Sequence, residues 1–421
     1  MVKQGYKQTE IGLIPNDWNI VSIEKLATDM SDGPFGSNLK KEHYTDDKQA
    51  RIIQLSNIGE NGWLDTNVKY TTFSHAKTIS RCIVNPGHII VAKMMPAGRA
   101  IICPSMEKMY VLGSDSIKLE LNATLVNTKY FMYSTKSSFF QTQIKEETQG
   151  STRARTSISK LRKNKVLLPS IEEQNRIAEA LSDADSMISS LEKLITKKKA
   201  VKQGAMQDLL TCKKRLPGFT GEWKGYTIGK MGEFYSGLSG KSKKDFDCGE
   251  AYYITFLNVL SNVKIDTSIL ASVDVRENES QKAVRKGDLF FNTSSETPEE
   301  VGMCAVLNEE LENTYLNSFC FGFRLFDDTH DPLFLSYYLN SAIGRKIMSV
   351  LAQGATRYNL SKNNFAETVI KLPVKEEQTA IASILSDMDN EIETLEQKLT
   401  KARQIKQGIM QQLLTGKIRL V

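Results

Sequence analysis

Two stretches of the chain carry mostly apolar residues at alternating spacings of four and three. The first runs Ile177, Leu181, Ala184, Ile188, Leu191, Ile195, Lys198, Lys202, Ala205, Leu209. The second runs Ile381, Leu385, Met388, Ile392, Leu395, Leu399, Ala402, Lys406, Ile409, Leu413. This is an a/d heptad stripe, and it predicts two long helices. Pro169 and Pro373 sit just upstream, where a helix can begin, and no proline interrupts either stripe. About 40 residues at about 1.5 Å each make a rod of roughly 60 Å. Elsewhere the apolar runs are short and punctuated by Gly, Pro and Asn, as in strands. Such runs occur at Arg51–Leu55, His88–Lys93, Ala100–Cys103 and Ser116–Leu121, and again at Tyr252–Leu257, Asp288–Asn292, Met303–Leu307 and Phe319–Phe326. One further helix is predicted in each set, over Val126–Lys145 and Pro332–Leu351.

The two halves repeat each other. Leu168-Pro169-Ser170-Ile171-Glu172-Glu173-Gln174 returns 204 residues on as Leu372-Pro373-Val374-Lys375-Glu376-Glu377-Gln378. At the same offset Leu181–Asp185 matches Leu385–Asp389, Lys202–Gln207 matches Lys406–Gln411, and Leu209–Thr211 matches Leu413–Thr415. Fainter echoes join Gln149–Arg153 to Gln353–Arg357 and Val84–Ile90 to Val284–Phe290, and Trp18 and Trp223 each open a unit. Diverged globular units therefore alternate with two copies of one helix, in which roughly half of the positions are identical.

A narrow apolar stripe of this length wants a helical partner, and the other copy is the best one available. The first helix carries the chain away from the first unit and the second must carry it back, so antiparallel packing is expected. Two unrelated surface helices would be the plainer alternative. The expected fold is α+β: two domains of mixed α/β structure joined by two long antiparallel coiled-coil helices, with a pseudo-two-fold internal repeat. The expected boundaries are 1–167 for the first domain, 168–212 for the central helix, 213–371 for the second domain and 372–416 for the C-terminal helix. The expected seam comprises Ile177, Leu181, Ile188, Leu191, Ile195, Leu209, Ile381, Leu385, Ile392, Leu395, Leu399, Ile409 and Leu413. Lys202 and Lys406 occupy equivalent seam positions, where a polar residue either fixes register or snorkels past an open seam. The acids of Ser182–Asp185 and Ser386–Asp389 lie beside the seam, and the simplest reading leaves them solvated.

Composition narrows the function. The chain has 421 residues, 40% hydrophobic and 25% charged, which suits soluble globular domains. No run approaches the length of a membrane span, and Met1–Lys7 offers no apolar leader, so a cytoplasmic protein without membrane partners is expected. Six cysteines form no C-x-x-C pair, and the four histidines, His43, His75, His88 and His330, do not repeat, so no metal site is expected. There is no nucleotide-binding loop, H-E-x-x-H, G-x-S-x-G or Asp/Asn-Pro-Pro-aromatic tetrapeptide. No catalytic residue is assigned. The repeated features are architectural, as in a binding module.

The net charge of +6 permits a polyanionic partner. Candidate DNA contacts lie in the diverged loops: Lys40, Lys41, Lys93, Arg99, Arg153 and Arg155 in the first unit, and Lys241, Lys243, Lys244, Asn292, Ser294, Arg357 and Tyr358 in the second. Basic side chains position a protein on phosphates, whereas Asn, Ser and Arg can read base edges. Ordinary solvated loops would look similar.

The paired Leu-Pro-x-x-Glu-Glu-Gln openings, the helices ending Lys202–Thr211 and Lys406–Thr415, Trp18 after Ile14-Pro15, and the loop Gly33-Pro34-Phe35-Gly36-Ser37 together resemble the specificity subunits of type I restriction–modification systems. The resemblance covers nearly the whole chain, although the second unit lacks a clear Gly-Pro-Phe-Gly loop. It implies two target-recognition domains that each read half of a bipartite site on double-stranded DNA. It also implies helices that set the gap and dock two methyltransferase subunits, and restriction subunits that join that core. No cofactor would bind this chain; S-adenosylmethionine, ATP and Mg would serve the partners. Because the units have diverged, the target is expected to be asymmetric. Free-standing DNA-binding regulators and an enzyme with an unrecognised site are the competing readings.

Overall fold

The computed structural model describes residues 4–148, 154–276, 278–354 and 356–421. It divides into two compact units, 1–192 with 398–421, and 193–397, so the boundary falls within both long helices. Those helices span Ile171–Leu209 and Lys375–Leu413, 39 residues each.

In the first unit a four-stranded antiparallel sheet is ordered Ala100–Ile102, Ile89–Ala92, Ser116–Leu121, Ala27–Asp32. Beside it, Ala50–Ile53 pairs in parallel with Tyr110–Leu112. The second unit repeats both arrangements. Its four-stranded sheet is ordered Cys304–Val306, Leu289–Asn292, Cys320–Leu325, Gly232–Ser236, and Phe246–Ile254 pairs in parallel with Thr314–Leu316.

The strand expectations hold best where the apolar run is fully buried, as at Ile89–Ala92 and Leu289–Asn292. At Arg51–Leu55 and Tyr252–Leu257 the strand gives way to a helical turn before the expected end. The chain leaves Ala50–Ile53 for a 3-10 turn at Leu55–Asn57, where the Asn57 carboxamide accepts from the Gln54 N–H. After Ile254, Thr255 caps a helix at Phe256–Ser261. Each single helix expected beside the sheets is two. Thr128–Ser134 is followed by Ser138–Thr148, and Pro332–Asn340 by Ala342–Leu351. Apolar spacing cannot reveal such breaks, because serines make them. Ser341 adopts an extended conformation and its hydroxyl accepts from the Gly344 N–H, starting a new helix. The Ser137 hydroxyl likewise accepts from the Phe140 N–H.

Within each unit one helix end packs on the sheets and on part of the other helix. Ile177, Ala178, Leu181, Leu413 and Leu414 join the first core with Trp18 and Phe131. Met206, Leu210, Ile381, Ala382 and Leu385 join the second with Phe334 and Phe365. Ile195 and Ile392 are buried, while Ile188, Leu191, Leu209, Leu395 and Leu399 are half-buried. Ile409 is 41% exposed, at the edge of the packed stripe.

Ion pairs fix the antiparallel sense. In the first unit Asp185 pairs with Lys406 and Glu192 with Arg403; in the second Lys198 pairs with Glu391 and Lys202 with Asp389. Asp185 and Asp389 are therefore not simply solvated. Lys202 Nζ lies 2.5 Å from Asp389 Oδ1, and the Tyr337 hydroxyl donates to Asp389 Oδ2 at 2.6 Å. Lys406 and Tyr133 engage Asp185 in the same way, the hydroxyl donating at 2.7 Å. A half-buried lysine at a seam needs a carboxylate to offset its desolvation, and the antiparallel register supplies it in each unit. Asp183 and Asp387 remain exposed.

Candidate nucleic-acid interface

The loop after strand Ala27–Asp32 is held on both sides. Gly33 donates its N–H to Ser116 O at 2.9 Å and passes so close to Gly113 that a Cβ would meet its carbonyl oxygen at 1.8 Å. On the far side the His75 Nε2–H donates to Asn38 O at 2.9 Å, since a carbonyl only accepts. The His43 ring stacks on that of His75 at 4.0 Å, and its Nδ1 accepts from the Lys40 N–H at 3.1 Å. Between these anchors Lys40 and Lys41 project into solvent, Lys40 lying 3.6 Å from the exposed Glu42. The loop also presents Phe35, 70% exposed, with the Arg81 guanidinium carbon 5.8 Å from its ring centre. Arg81 follows no spacing rule, so nothing in the sequence singles it out.

Other candidates of this unit face inward. Lys93 is buried, 2.5 Å from Asp32 Oδ1, and donates to Ser114 O at 3.1 Å. It braces the base of the loop and offers no free charge. Arg99 is half-buried and donates to Ile58 O at 3.1 Å. Arg155 is exposed and pairs with Asp115 at 3.0 Å. Arg153 lies outside the described residues.

In the second unit Lys243 and Lys244 are exposed on a 3-10 turn whose capping acid, Asp245, accepts from the Ser242 N–H and hydroxyl at 2.7 Å. Those hydrogen bonds, the backbone one first, hold the Asp245 carboxyl below the usual range. Lys241 is turned inward, its Nζ 2.5 Å from both Glu279 Oε2 and Asp274 O. Asn292 is wholly buried: its Nδ2 donates to Glu300 O at 2.8 Å and its Oδ1 accepts from the Met303 N–H at 2.7 Å. Ser294 is buried in the strand pairing with Tyr358–Leu360. Both residues shape the fold, because a buried amide must satisfy its own hydrogen bonds before reading any other. Arg357 is exposed and Tyr358 half-buried beside it.

The thiols offer no chemistry at the loops of the first unit. Cys82 and Cys103 are buried, and burial pushes the Cys103 thiol up to about 12. Among the described residues no cluster of His, Cys, Asp and Glu could hold a metal ion, and no helix is long and apolar enough to cross a membrane.

The sequence profile of the type I restriction modification DNA specificity domain matches the chain twice, over residues 15–203 and 220–404. A relative from Methanocaldococcus jannaschii, the type I restriction enzyme MjaVIII specificity subunit, is 27% identical over 325 residues, covering 74% of this chain and 75% of the relative. Two solved structures share the fold. The S subunit of a type I restriction–modification system from M. genitalium aligns with a TM-score of 0.59 at 16% identity, covering 94% of this chain and 96% of that one. A chain from a study of complex assembly and conformational transition in the type I R-M system aligns with a TM-score of 0.58 at 14% identity, covering 96% and 99%. Two copies of one sheet topology, two copies of one helix and a profile matched in both halves lead to one conclusion: this chain belongs to the family of type I restriction–modification DNA specificity subunits.

Proposed function

We propose that this chain is the non-catalytic subunit that reads a bipartite, asymmetric duplex DNA target, with one recognition domain for each half-site. The recognition domains are taken as 1–167 and 213–371, and the helical segments as 168–212 and 372–416. The observation that carries the reading is one scaffold used twice with different loop chemistry. Equivalent sheets bear Phe35, Lys40 and Lys41 in one unit and Lys243, Lys244 and Arg357 in the other. Diverged readers on a common frame suit two unlike half-sites.

The paired helices dock two methyltransferase subunits. Val201 and Ile405 stand 204 residues apart at equivalent positions, each 50% exposed. Two equivalent apolar positions suit two copies of one partner. Methyl transfer from S-adenosylmethionine, and ATP- and Mg-dependent cleavage by restriction subunits, belong to those partners.

Among the exposed cations, Lys40 and Lys41 are assigned to phosphates. Each phosphate contact contributes about 0.9 to the slope of log K against log salt. Replacing both by Ala is therefore expected to lower the slope by about 1 to 2 on a mixed-sequence duplex, measured by fluorescence anisotropy of the subunit with its methyltransferase partners. An unchanged slope removes both lysines from the interface.

A further inference from the structure

The recognition loops of the two units correspond residue by residue. Gly33 donates to Ser116 O and Gly237 to Cys320 O, at 2.9 and 3.3 Å. A Cβ on Gly33 would meet Gly113 O, and one on Gly237 would meet Asn317 O, at 1.8 and 2.0 Å. Every one of these pairs is offset by 204 residues, so Phe35 corresponds to Ser239. On the facing segment Gly87 donates to Cys103 O and Gly287 to Leu307 O. That aligns Val84 with Val284, and hence Arg81 with Gln281.

At this shared corner the units behave in opposite ways. In the second, Ser239 and Gln281 satisfy each other: the Ser239 N–H donates to Gln281 Oε1 at 3.1 Å, and Gln281 Nε2 donates to Ser239 O at 2.9 Å. The adjacent Lys241 is neutralised by Glu279. In the first unit the corner is open. Phe35 is 70% exposed, Arg81 is exposed, and among the described residues no carboxylate pairs with it. An exposed cation–π contact stabilises a fold only slightly, so folding does not account for the pair. Recognition does. An aromatic ring narrows the orientations of a guanidinium, and the rigid fork of Arg matches the O6 and N7 acceptors of guanine in the major groove.

We propose that Arg81, oriented by Phe35, reads a guanine in the half-site of the first unit, while the equivalent corner of the second unit is structural and reads no base. Arg81 is the contacting residue and Phe35 a positioning residue. The inference rests on the DNA-reading function proposed above and adds one base contact to it.

The test is single-molecule methylome sequencing of cells carrying the complete system with wild-type chain, Arg81→Gln, Arg81→Lys, Phe35→Ala or Gln281→Ala. Arg81→Gln installs the residue that the second unit uses. One position of one half-site should relax from a G·C pair, with discrimination falling about tenfold or more, while the other half-site stays intact. Phe35→Ala should relax the same position less. Arg81→Lys keeps the charge and loses the fork, so it should relax that position too; if it retains the wild-type motif, charge alone matters and the proposal fails. Gln281→Ala should leave both half-sites unchanged, and relaxation there overturns the contrast between the units. If Arg81→Gln proves unstable in a thermal melt, Arg81→Lys carries the test. A wild-type motif left unchanged by Arg81→Gln overturns this assignment alone. A wild-type chain that directs no motif overturns the DNA-reading function and this inference with it.

Discussion

Arg419→Ala is expected to destabilise the first unit by about 3 to 5 kcal/mol, the cost of leaving a buried charge without its partner. Arg419 Nε and Nη2 donate to Glu173 Oε1 and Oε2 at 2.6 and 2.8 Å, and Nη1 and Nη2 reach the Asp17 carboxylate at 3.0 and 2.7 Å. The Glu173 side chain is 2% exposed, and with Arg419 gone its carboxylate keeps the Trp18 indole N–H, which donates at 3.0 Å, as its partner among the described residues. Expressed as melting temperature, the loss is about 10 °C for a unit of this size. It should appear in the first unit's calorimetric transition and in its amide exchange.

The double variant Arg419→Ala/Glu173→Gln removes the stranded charge and should recover roughly 2 kcal/mol. Equal losses in the single and double variants would show that the ion pair is not the cause. The Arg419 hydrogen bond also holds the Asp17 carboxyl below its ordinary range. A depressed carboxylate stabilises the fold above its unfolded pKa and ceases to do so as pH falls through the folded value. The Asp17 share of the clamp therefore fades on acidification. Glu377 and Arg215 form the equivalent clamp in the second unit, with two contacts of 2.7 Å.

Gly33→Ala is the second large effect. A methyl group placed 1.8 Å from a backbone oxygen cannot be absorbed by a rotamer change, so the strand end and the turn at Gly113 must part by more than 1 Å. That separation strains the Gly33–Ser116 hydrogen bond and the Asp32–Lys93 ion pair at the base of the loop. Combining overpacking with a lost buried hydrogen bond gives about 3 kcal/mol. DNA affinity should fall further than stability alone requires, because the displaced loop carries Phe35, Lys40 and Lys41. Anisotropy at a temperature where the variant is folded separates the two effects. Wild-type affinity in a folded Gly33→Ala variant would show that the loop does not touch DNA.

The long helices were legible because their signal is local: a stripe at spacings of four and three, repeated at one offset, requires only the chain's own periodicity. The role of Asp185 and Asp389 was not, since a carboxylate beside a seam looks solvated until the antiparallel register brings Lys406 or Lys202 opposite it. The candidate contacts divide for the same reason. Lys40 and Lys93 are both lysines in polar loops, yet one projects into solvent and the other is buried against Asp32. Asn292 resembles a base reader in sequence and is wholly engaged by its own backbone neighbours. Whether a polar loop residue faces inward depends on tertiary partners far along the chain, such as Glu279 for Lys241. The expected α+β fold was legible to the level of sheets and helices, and failed at Ser137 and Ser341, where a hydroxyl cap ends one helix and begins the next.

The most direct test is single-molecule methylome sequencing of the source cells with and without this gene. Deletion should erase one N6-methyladenine motif made of two unlike half-sites separated by an unread spacer, and complementation should restore it. Loss of a palindromic, uninterrupted motif, or retention of every motif while the partner methyltransferase is expressed, would contradict the assignment of target reading to this chain.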